Sequence, residues 1–165
     1  LDPARVHPMG ASDAGLSLDD AADAYAADLA LNARSGHVPY LDITFLGMGP
    51  DGHIASLFPE RSGIRESERT VIAVRNSPKP PPERLSLTLP VLNSSARVWL
   101  AVAGADKASA LGVTLAGASI NEVPAAGIEG RRRTLFFVDA EAAAEVPENL
   151  IDPGQFWTRA DDIAD

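Results

Sequence analysis

Short apolar runs that alternate with helical patterns constrain the fold of this chain more than any other feature. The runs are Leu41–Leu46, Thr70–Arg75, Arg97–Ala103 and Thr134–Val138. Nearly continuous apolar content is typical of strands that are buried on both faces of a sheet. Because helical patterns separate these strands, the sequence predicts an α/β protein with three α/β/α layers around a mostly parallel sheet. Three aromatic residues are expected in its core, namely Trp99, Phe136 and Phe137.

The first helix is predicted over Leu18–Arg34. Ser17 is a favourable N-cap, and Asp19 and Asp20 follow where the helix dipole favours negative charge. Apolar residues recur along one face at spacings of four, three and four, namely at Leu18, Ala22, Tyr25 and Leu29. Gly36 is expected to end this helix, because glycine readily adopts the left-handed conformation found at such ends.

The second half of the chain predicts two more helices, over Ala105–Ala116 and over Asp139–Glu145. An aspartate cap opens the second of these. The segment Arg84–Leu89 alternates strictly between polar and apolar residues, which indicates a strand that Pro90 closes early.

The composition excludes several classes of function. The chain has 165 residues, enough for one domain, and its lack of cysteine excludes disulfides, thiolate catalysis and cysteine-ligated metals. A net charge of -9 argues against binding nucleic acid or an anionic membrane. No apolar run approaches the ~20 residues of a membrane helix. The three histidines of the chain share no spacing typical of a metal site; these are His7, His37 and His53.

A glycine-rich turn follows the first strand and carries the residues best suited to catalysis. In open parallel sheets, ligands bind beyond the carboxyl ends of the strands, where this turn lies. Gly47, Gly49 and Gly52 permit positive φ and let a ligand approach the backbone closely. Asp51 and His53 lie in the turn, and histidine titrates near neutral pH, which suits proton transfer. Because glycine-rich turns with one histidine also occur without a catalytic role, the local pattern leaves both interpretations open.

Longer motifs distinguish between these interpretations. The segment Phe45–Pro59 closely resembles the signature of the 6-phosphogluconolactonase family, in which Gly-Met-Gly-x-Asp-Gly-His is followed by Ser-Leu-Phe-Pro. Ser77–Pro90 is similar to the family's Lys-Pro-Pro-x-x-Arg-x-(Ser/Thr)-Leu-Thr segment, and Val102–Ala108 to its less specific Gly-x-x-Lys-Ala motif. The resemblance implies a Rossmann-like fold of the glucosamine-6-phosphate deaminase type. It also implies hydrolysis of 6-phospho-D-glucono-1,5-lactone in the pentose phosphate pathway, without metal or cofactor.

The resemblance assigns roles to residues of the turn. It implies that His53 is the general base on the attacking water, and that Asp51 orients His53 and stabilises its imidazolium. Backbone N–H groups of the turn, including those of Gly49 and Gly52, are candidates to bind the substrate and its tetrahedral oxyanion. Ser56 is expected to hydrogen-bond near the pocket rather than to act as a nucleophile, because no Gly-x-Ser-x-Gly elbow surrounds it.

The phosphate of such a substrate requires cations. Lys107 stands at the start of a predicted helix, where its ammonium and the helix N-terminus are able to act together. Arg84 offers a bidentate contact. We therefore expect Arg84 and Lys107 to bind the phosphate, and Lys79 is a third candidate. The basic run Arg131–Arg133 is interpreted as a solvated face or as protection of a strand edge.

The match to the family is incomplete at the N-terminus. Family members are longer, and their first part, with a glycine-rich loop that contacts sugar phosphate, is not present in this sequence. We therefore interpret residues 1–147 as the C-terminal part of a single lactonase domain. Residues 148–165, with Phe156 and Trp157, are a tail that either packs back or is loosely ordered. Since Leu1–Arg5 is neither a signal peptide nor a normal start, we expect a fragment of a cytoplasmic protein.

Two other functions stay open. The deaminase family shares the fold and a Gly-x-Asp-Gly-His-Ile-Ala core, but it continues with Phe-Asn-Glu-Pro where this chain has Ser56–Pro59. Glu60, which follows, stands where many lactonases carry glycine. A non-enzymatic sugar-phosphate sensor is the alternative from another class, although no helix-turn-helix is visible.

The expected partner is a small sugar-phosphate lactone, without nucleic acid or membrane, and the expected state is a monomer or weak homo-oligomer.

Overall fold

The computed structural model describes residues 2–151 and shows a parallel sheet with helices against it. Within that range the strands are β1 (Ile43–Gly47), β2 (Val71–Val74), β3 (Arg84–Leu87), β4 (Arg97–Val102) and β5 (Arg133–Val138). The helices are α1 (Leu18–Leu31), α2 (Leu89–Asn93) and α3 (Ala108–Leu115). The predicted strands are all present, and their ends differ from the prediction by two residues or fewer.

The main sheet consists of β1, β4 and β5, in the order β1-β4-β5, with both pairs of neighbours parallel. On one face, Val98, Leu100 and Val102 are almost completely buried. Leu111 of α3 is buried in the same cluster, so α3 covers this face. The register pairs Gly47 with Ala101, and the segments that follow β1 and β4 therefore leave the sheet at the same edge.

The opposite face of the main sheet carries an aromatic row, since alternate side chains of a strand point to opposite faces. Its outer members are exposed and its central residue, Trp99, is half-buried. Phe45 is 71% exposed and Phe137 is 37% exposed. Edge-to-face contacts join Phe45 to Trp99 at 5.3 Å and Trp99 to Phe137 at 5.5 Å between ring centroids. The prediction of a core position is therefore wrong for Phe137, whereas Trp99 is half-buried between the two phenyl rings and outside the buried core cluster. Phe136 belongs to the other face and packs against the core, as predicted.

A separate antiparallel hairpin, formed by β2 and β3, carries the proline-rich loop. Helix α1 covers it, because Ala22 and Leu29 form a small core with Val71. The predicted strand over Arg84–Leu89 is correct only as far as Leu87. Pro90 does not merely close that strand. It lies in the first turn of α2, where a fixed φ and a missing N–H are tolerated.

Helix α1 begins as predicted and ends earlier than predicted. Ser17 Oγ accepts a hydrogen bond from the N–H three residues along, at 3.1 Å, which confirms it as the N-cap. The helix ends at Leu31 rather than Arg34. The reason is local, because the side-chain amide of Asn32 donates to the carbonyl of Asp28 at 2.9 Å and competes with further helical hydrogen bonds.

The other two predicted helices are shorter than expected. The first opens with a 3-10 turn over Ala105–Lys107 and continues as α3. The second is a single 3-10 turn over Ala142–Glu145. Asp139 caps that turn, since its Oδ1 accepts from the N–H of Ala142 at 2.8 Å.

The predicted tail is described only in part. A 3-10 turn covers Glu148–Leu150, whereas residues 152–165, with Phe156 and Trp157, lie outside the described residues. The boundary after residue 147 stays a prediction. No described helix combines the length and apolar character that crossing a membrane requires.

Candidate active site

The glycine-rich turn after β1 is closed by two hydrogen bonds within its own backbone. The N–H of Gly49 donates to the carbonyl of His53, and the N–H of Gly52 donates to the carbonyl of Gly49, both at 2.9 Å. Gly52 has a φ of +75°, a conformation that favours glycine. Both N–H groups are engaged within the turn in this conformation, and the predicted contact of Gly49 and Gly52 with the substrate or its oxyanion stays a prediction.

His53 and Asp51 form a short hydrogen bond, with 2.6 Å between Nδ1 and Oδ1. The imidazole lies against Gly49, where a Cβ would be 2.1 Å from Nδ1. The ring also contacts Phe58, with 4.6 Å between centroids and 30° between planes. The backbone of Gly49, the carboxylate and the phenyl ring therefore hold the imidazole in one orientation.

The charge of Asp51 fixes the tautomer of His53. Burial raises the pKa of Asp51, but the hydrogen bond and charge of His53, helped by the charge of Lys79, outweigh this effect and lower the pKa below its ordinary value. Lys79 Nζ lies 3.3 Å from the same Oδ1. Since an ionised carboxylate only accepts hydrogen bonds, Nδ1 of a neutral His53 carries the hydrogen and Nε2 keeps its lone pair.

An open cleft of about 530 Å³ lies at the carboxyl end of β1, where the sequence places the site. His53 and Lys79 line it together with Phe45, Met48 and Pro50. The structure therefore brings one of the predicted cations, Lys79, into the same cleft as the predicted base.

Arg84 lies beside this cleft, but its guanidinium is bound to backbone carbonyls. Its Nε donates to Pro81 at 3.0 Å, and its Nη2 donates to Lys79 at 2.9 Å and to Pro80 at 2.7 Å. Its guanidinium carbon also lies 5.6 Å from the centroid of the Phe58 ring. The predicted contact between Arg84 and a substrate phosphate stays a prediction.

Lys107 follows β4, at the edge of the sheet that also carries the glycine-rich turn. Its Nζ lies 3.1 Å from Asp106 Oδ1. Backbone N–H donors, and to a smaller extent the charge of Lys107, lower the pKa of nearby Asp139. Lys107 is thus at the predicted edge, but its described neighbours are acidic and it does not line the cleft over His53.

Ser56 is 8% exposed, and its N–H donates to Ser86 Oγ at 3.1 Å. It lines a second cavity of about 390 Å³, which Phe58 also lines, rather than the cleft over His53. Its predicted role as a hydrogen-bonding residue near the substrate stays a prediction.

Phe58 is a site residue that the sequence pattern did not predict. It is 1% exposed and contacts both the imidazole of His53 and the guanidinium of Arg84. The only signal was an aromatic residue five positions after the histidine, within the family motif. Among residues 2–151, no three or more potential metal ligands lie together. His7, which the sequence analysis also considered, is paired with Asp28 at 2.9 Å.

Curated proteins resemble this chain closely. The family described as glucosamine-6-phosphate isomerases/6-phosphogluconolactonase matches residues 1–137. A 6-phosphogluconolactonase of Streptomyces coelicolor is 52% identical over 93% of this chain and 60% of its own length. The 6-phosphogluconolactonase of Mycobacterium tuberculosis is 51% identical over 87% of this chain and 59% of its own length. The human 6-phosphogluconolactonase is 39% identical over 79% of this chain and 51% of its own length. This chain therefore spans 60% or less of these relatives.

Solved structures share the fold. The 6-phosphogluconolactonase of Thermotoga maritima has a TM-score of 0.66 at 29% identity, over 76% of this chain and 53% of that one. The 6-phosphogluconolactonase of Trypanosoma brucei has a TM-score of 0.66 at 27% identity, over 85% of this chain and 57% of that one. These similarities confirm the predicted three-layer α/β class with a mostly parallel sheet. The matched family and the sequence relatives together show that the chain belongs to the glucosamine-6-phosphate isomerase/6-phosphogluconolactonase family.

Proposed function

We propose that the protein hydrolyses 6-phospho-D-glucono-1,5-lactone to 6-phospho-D-gluconate, the lactone-opening step of the oxidative pentose phosphate pathway. Its relatives named 6-phosphogluconolactonase, at 39% to 52% identity, support this substrate. The observation that carries the proposal is the 2.6 Å bond from His53 to Asp51, because it leaves Nε2 of a residue that lines the cleft as the free base. A lactone carbonyl is already electrophilic, so activated water is sufficient for attack.

In the proposed reaction, Nε2 of His53 takes a proton from water while the water oxygen attacks the lactone carbonyl carbon. The carbonyl electrons move to oxygen and form a tetrahedral oxyanion. When this intermediate collapses, the C=O bond re-forms, the bond to the ring oxygen breaks, and that oxygen takes the proton from the imidazolium. His53 is then neutral again, and the new carboxylic acid releases a proton at neutral pH. General base catalysis of this kind is worth ~10²–10⁴-fold.

Asp51 assists the step in which His53 becomes charged. Since its pKa is lowered, it stays ionised and stabilises the imidazolium through the 2.6 Å contact. Lys79 is held 3.3 Å from the same carboxylate and faces the cleft, where it is also available to an anionic substrate.

Lys107 and Lys79 are proposed as phosphate contacts beside Arg84, whose predicted phosphate contact stays a third candidate. Each lysine ends in an ammonium whose described partner is a carboxylate, Asp106 or Asp51. A phosphate brings two negative charges and competes with such exposed pairs, which are individually weak. Arg84 differs, because three of its five N–H groups already donate to carbonyls.

The proposal includes a cytoplasmic site of action, because phosphorylated sugars are charged and are retained inside cells. It also includes a monomer or weak homo-oligomer that acts on a small molecule without nucleic acid or membrane. The net charge of -9 disfavours both of these anionic partners.

The direct test is acid release from the lactone, followed in a pH-stat and corrected for spontaneous hydrolysis. We expect a rate above the spontaneous one that is proportional to the concentration of the chain. Ammonia release from glucosamine 6-phosphate would instead support a deaminase. Binding of 6-phosphogluconate without turnover of either substrate would support a sensor and overturn the proposal.

A further inference from the structure

We propose that Arg84 is a positioning residue for the catalytic pair, which holds Lys79 against Asp51 and Phe58 against His53. The inference rests on the proposed function, because it gives Arg84 a part in the same hydrolysis. A phosphate ligand would act on the substrate directly, whereas a positioning residue acts through its neighbours. The two roles have different kinetic consequences.

The proline-rich loop depends on Arg84 because it has few backbone donors of its own. Pro80–Pro82 lack N–H groups, so the carbonyls around them require donors from elsewhere. Arg84 supplies three hydrogen bonds of 2.7 to 3.0 Å to the carbonyls of Lys79, Pro80 and Pro81. Ser77 closes the other end of the loop, where its N–H donates to Pro82 at 2.9 Å.

The position of this loop decides where the ammonium of Lys79 lies. The carbonyl of Lys79 accepts from Arg84 and also from Ser77 Oγ, at 2.9 and 2.8 Å. With its backbone held in this way, its Nζ reaches Asp51 Oδ1 at 3.3 Å, the same oxygen that binds His53. Displacement of the loop would remove a positive charge from the carboxylate that orients the base.

The same guanidinium reaches His53 from the other side. Its carbon lies 5.6 Å from the Phe58 centroid, within the range of a cation–π contact. Phe58 is almost completely buried, and its ring lies against the imidazole at 4.6 Å. Arg84 is therefore one residue away from each member of the catalytic pair.

Arginine is the side chain that combines these contacts. Its planar guanidinium presents several fixed donors and stacks on an aromatic face, whereas lysine offers a compact point charge. Arg84→Lys keeps the positive charge that a phosphate would require and loses the geometry that positioning requires. This substitution therefore separates the two roles.

The test compares steady-state kinetics of Arg84→Lys and Arg84→Ala with wild type. We expect kcat to fall roughly ten- to a hundredfold in both variants, because small displacements of catalytic groups have effects of this size. KM rises as well to the extent that Lys79 contacts the phosphate, so the fall in kcat is the readout that separates the two roles. Arg75→Lys is the matched control, since Arg75 lies on the same hairpin and pairs with Asp19 at 2.6 Å. It is expected to keep the wild-type kcat.

Two kinetic outcomes would overturn the inference. A raised KM with unchanged kcat in Arg84→Ala, rescued by Arg84→Lys, would assign Arg84 to the phosphate. Unchanged kcat and KM in both variants would leave it without a role in the reaction. Far-UV circular dichroism and thermal melts of each variant show whether a fall in kcat reflects unfolding.

A second measurement does not require turnover. The proton on His53 Nδ1, in its 2.6 Å bond to Asp51, is expected to give a downfield NMR resonance that His53→Gln removes. Faster exchange should broaden this resonance in both Arg84 variants and not in Arg75→Lys. If the wild-type chain fails to hydrolyse the lactone, the proposed function fails, yet this resonance still tests positioning. A resonance as sharp in both Arg84 variants as in wild type would refute the positioning role of Arg84.

Discussion

Gly49 has to be glycine because the imidazole of His53 occupies the space that a side chain would need. A Cβ at this position would lie 2.1 Å from Nδ1 of His53 and 2.7 Å from Oδ1 of Asp51. The sequence suggested that the glycines of the turn leave room for a ligand. The structure gives Gly49 another reason, which is to let the His53–Asp51 pair form beside the backbone of its own turn.

Gly49→Ala is therefore expected to damage the site without a large effect on the rest of the fold. The added methyl group displaces the imidazole from Asp51, and we expect kcat to fall by about a hundredfold, close to the loss of the general base itself. Lactone hydrolysis measures the effect. Gly10→Ala is the control, because its Cβ would meet only Ala21 Cβ at an ordinary 3.6 Å. Equal activity of the two variants would contradict this steric account.

The local part of the site could be predicted from the sequence, and the long-range part could not. Asp51 and His53 are two residues apart in one turn, so their contact follows from the motif. The contacts of Arg84 with Phe58, and of Lys79 with Asp51, join the turn to the loop of a hairpin, and no local pattern specifies them. The backbone also explains why many lactonases carry glycine where this chain has Glu60. The φ of Glu60 is +57°, a left-handed conformation that favours glycine.

Among the elements, positions were predicted well and pairings were not. The apolar runs placed the strands to within two residues, because a buried strand marks its own sequence. Nothing in those runs distinguishes β2 and β3, which pair as a separate antiparallel hairpin, from the parallel strands of the main sheet. Pairing depends on tertiary contacts, and the ends of helices depend on single side chains such as Asn32.

Asp139 ties the 3-10 turn Ala142–Glu145 to the end of β4, and this contact predicts a pH dependence of stability. Its carboxylate accepts from the N–H groups of Ala142 at 2.8 Å and of Gly104 at 3.0 Å. These donors, helped by the charge of Lys107, lower the pKa of Asp139. Stabilisation by the ionised group is therefore complete above the ordinary carboxyl pKa of about 3.9, and it is lost as the pH falls through the lower value of the folded state.

Asp139→Asn is expected to lower the melting temperature at pH 7. The difference from wild type should shrink as the pH falls below about 4 and disappear once Asp139 is protonated in the folded state. Thermal melts followed by circular dichroism, from pH 7 down into the acid range, provide the measurement. Asp13→Asn serves as a control for the loss of one negative charge, because Asp13 is exposed in the loop before α1. A difference for Asp139→Asn that persists unchanged into acid would contradict the assignment.

At the scale of the whole molecule, the main sheet is buried on one face and open on the other. Residues Val98 and Leu100 are 0% exposed on the face that α3 covers, whereas Phe45 is 71% exposed on the opposite face. The sequence predicted burial of both faces, because the strands are apolar on both sides. The chain spans 60% of the Streptomyces coelicolor relative, and within residues 2–151 Phe45 and Phe137 of the aromatic row stay exposed.

The two faces should respond differently to truncation. Leu100→Ala removes a fully buried side chain and is expected to cost 2–5 kcal/mol of unfolding free energy, as such substitutions typically do. Phe45→Ser should cost only about 1 kcal/mol, the size of its edge contact with Trp99. Urea denaturation measures both. Phe45→Ser should also reduce the binding of a hydrophobic dye, and equal destabilisation by both substitutions would show that the aromatic face is buried.

The central claim is that His53 is the base that activates water, and the kcat of His53→Ala tests it most directly. With spontaneous hydrolysis subtracted, we expect kcat to fall by about a hundredfold or more. KM should change little, because the phosphate contacts of the substrate remain. A His53→Ala variant that turns over lactone at the wild-type rate would remove His53 from the mechanism.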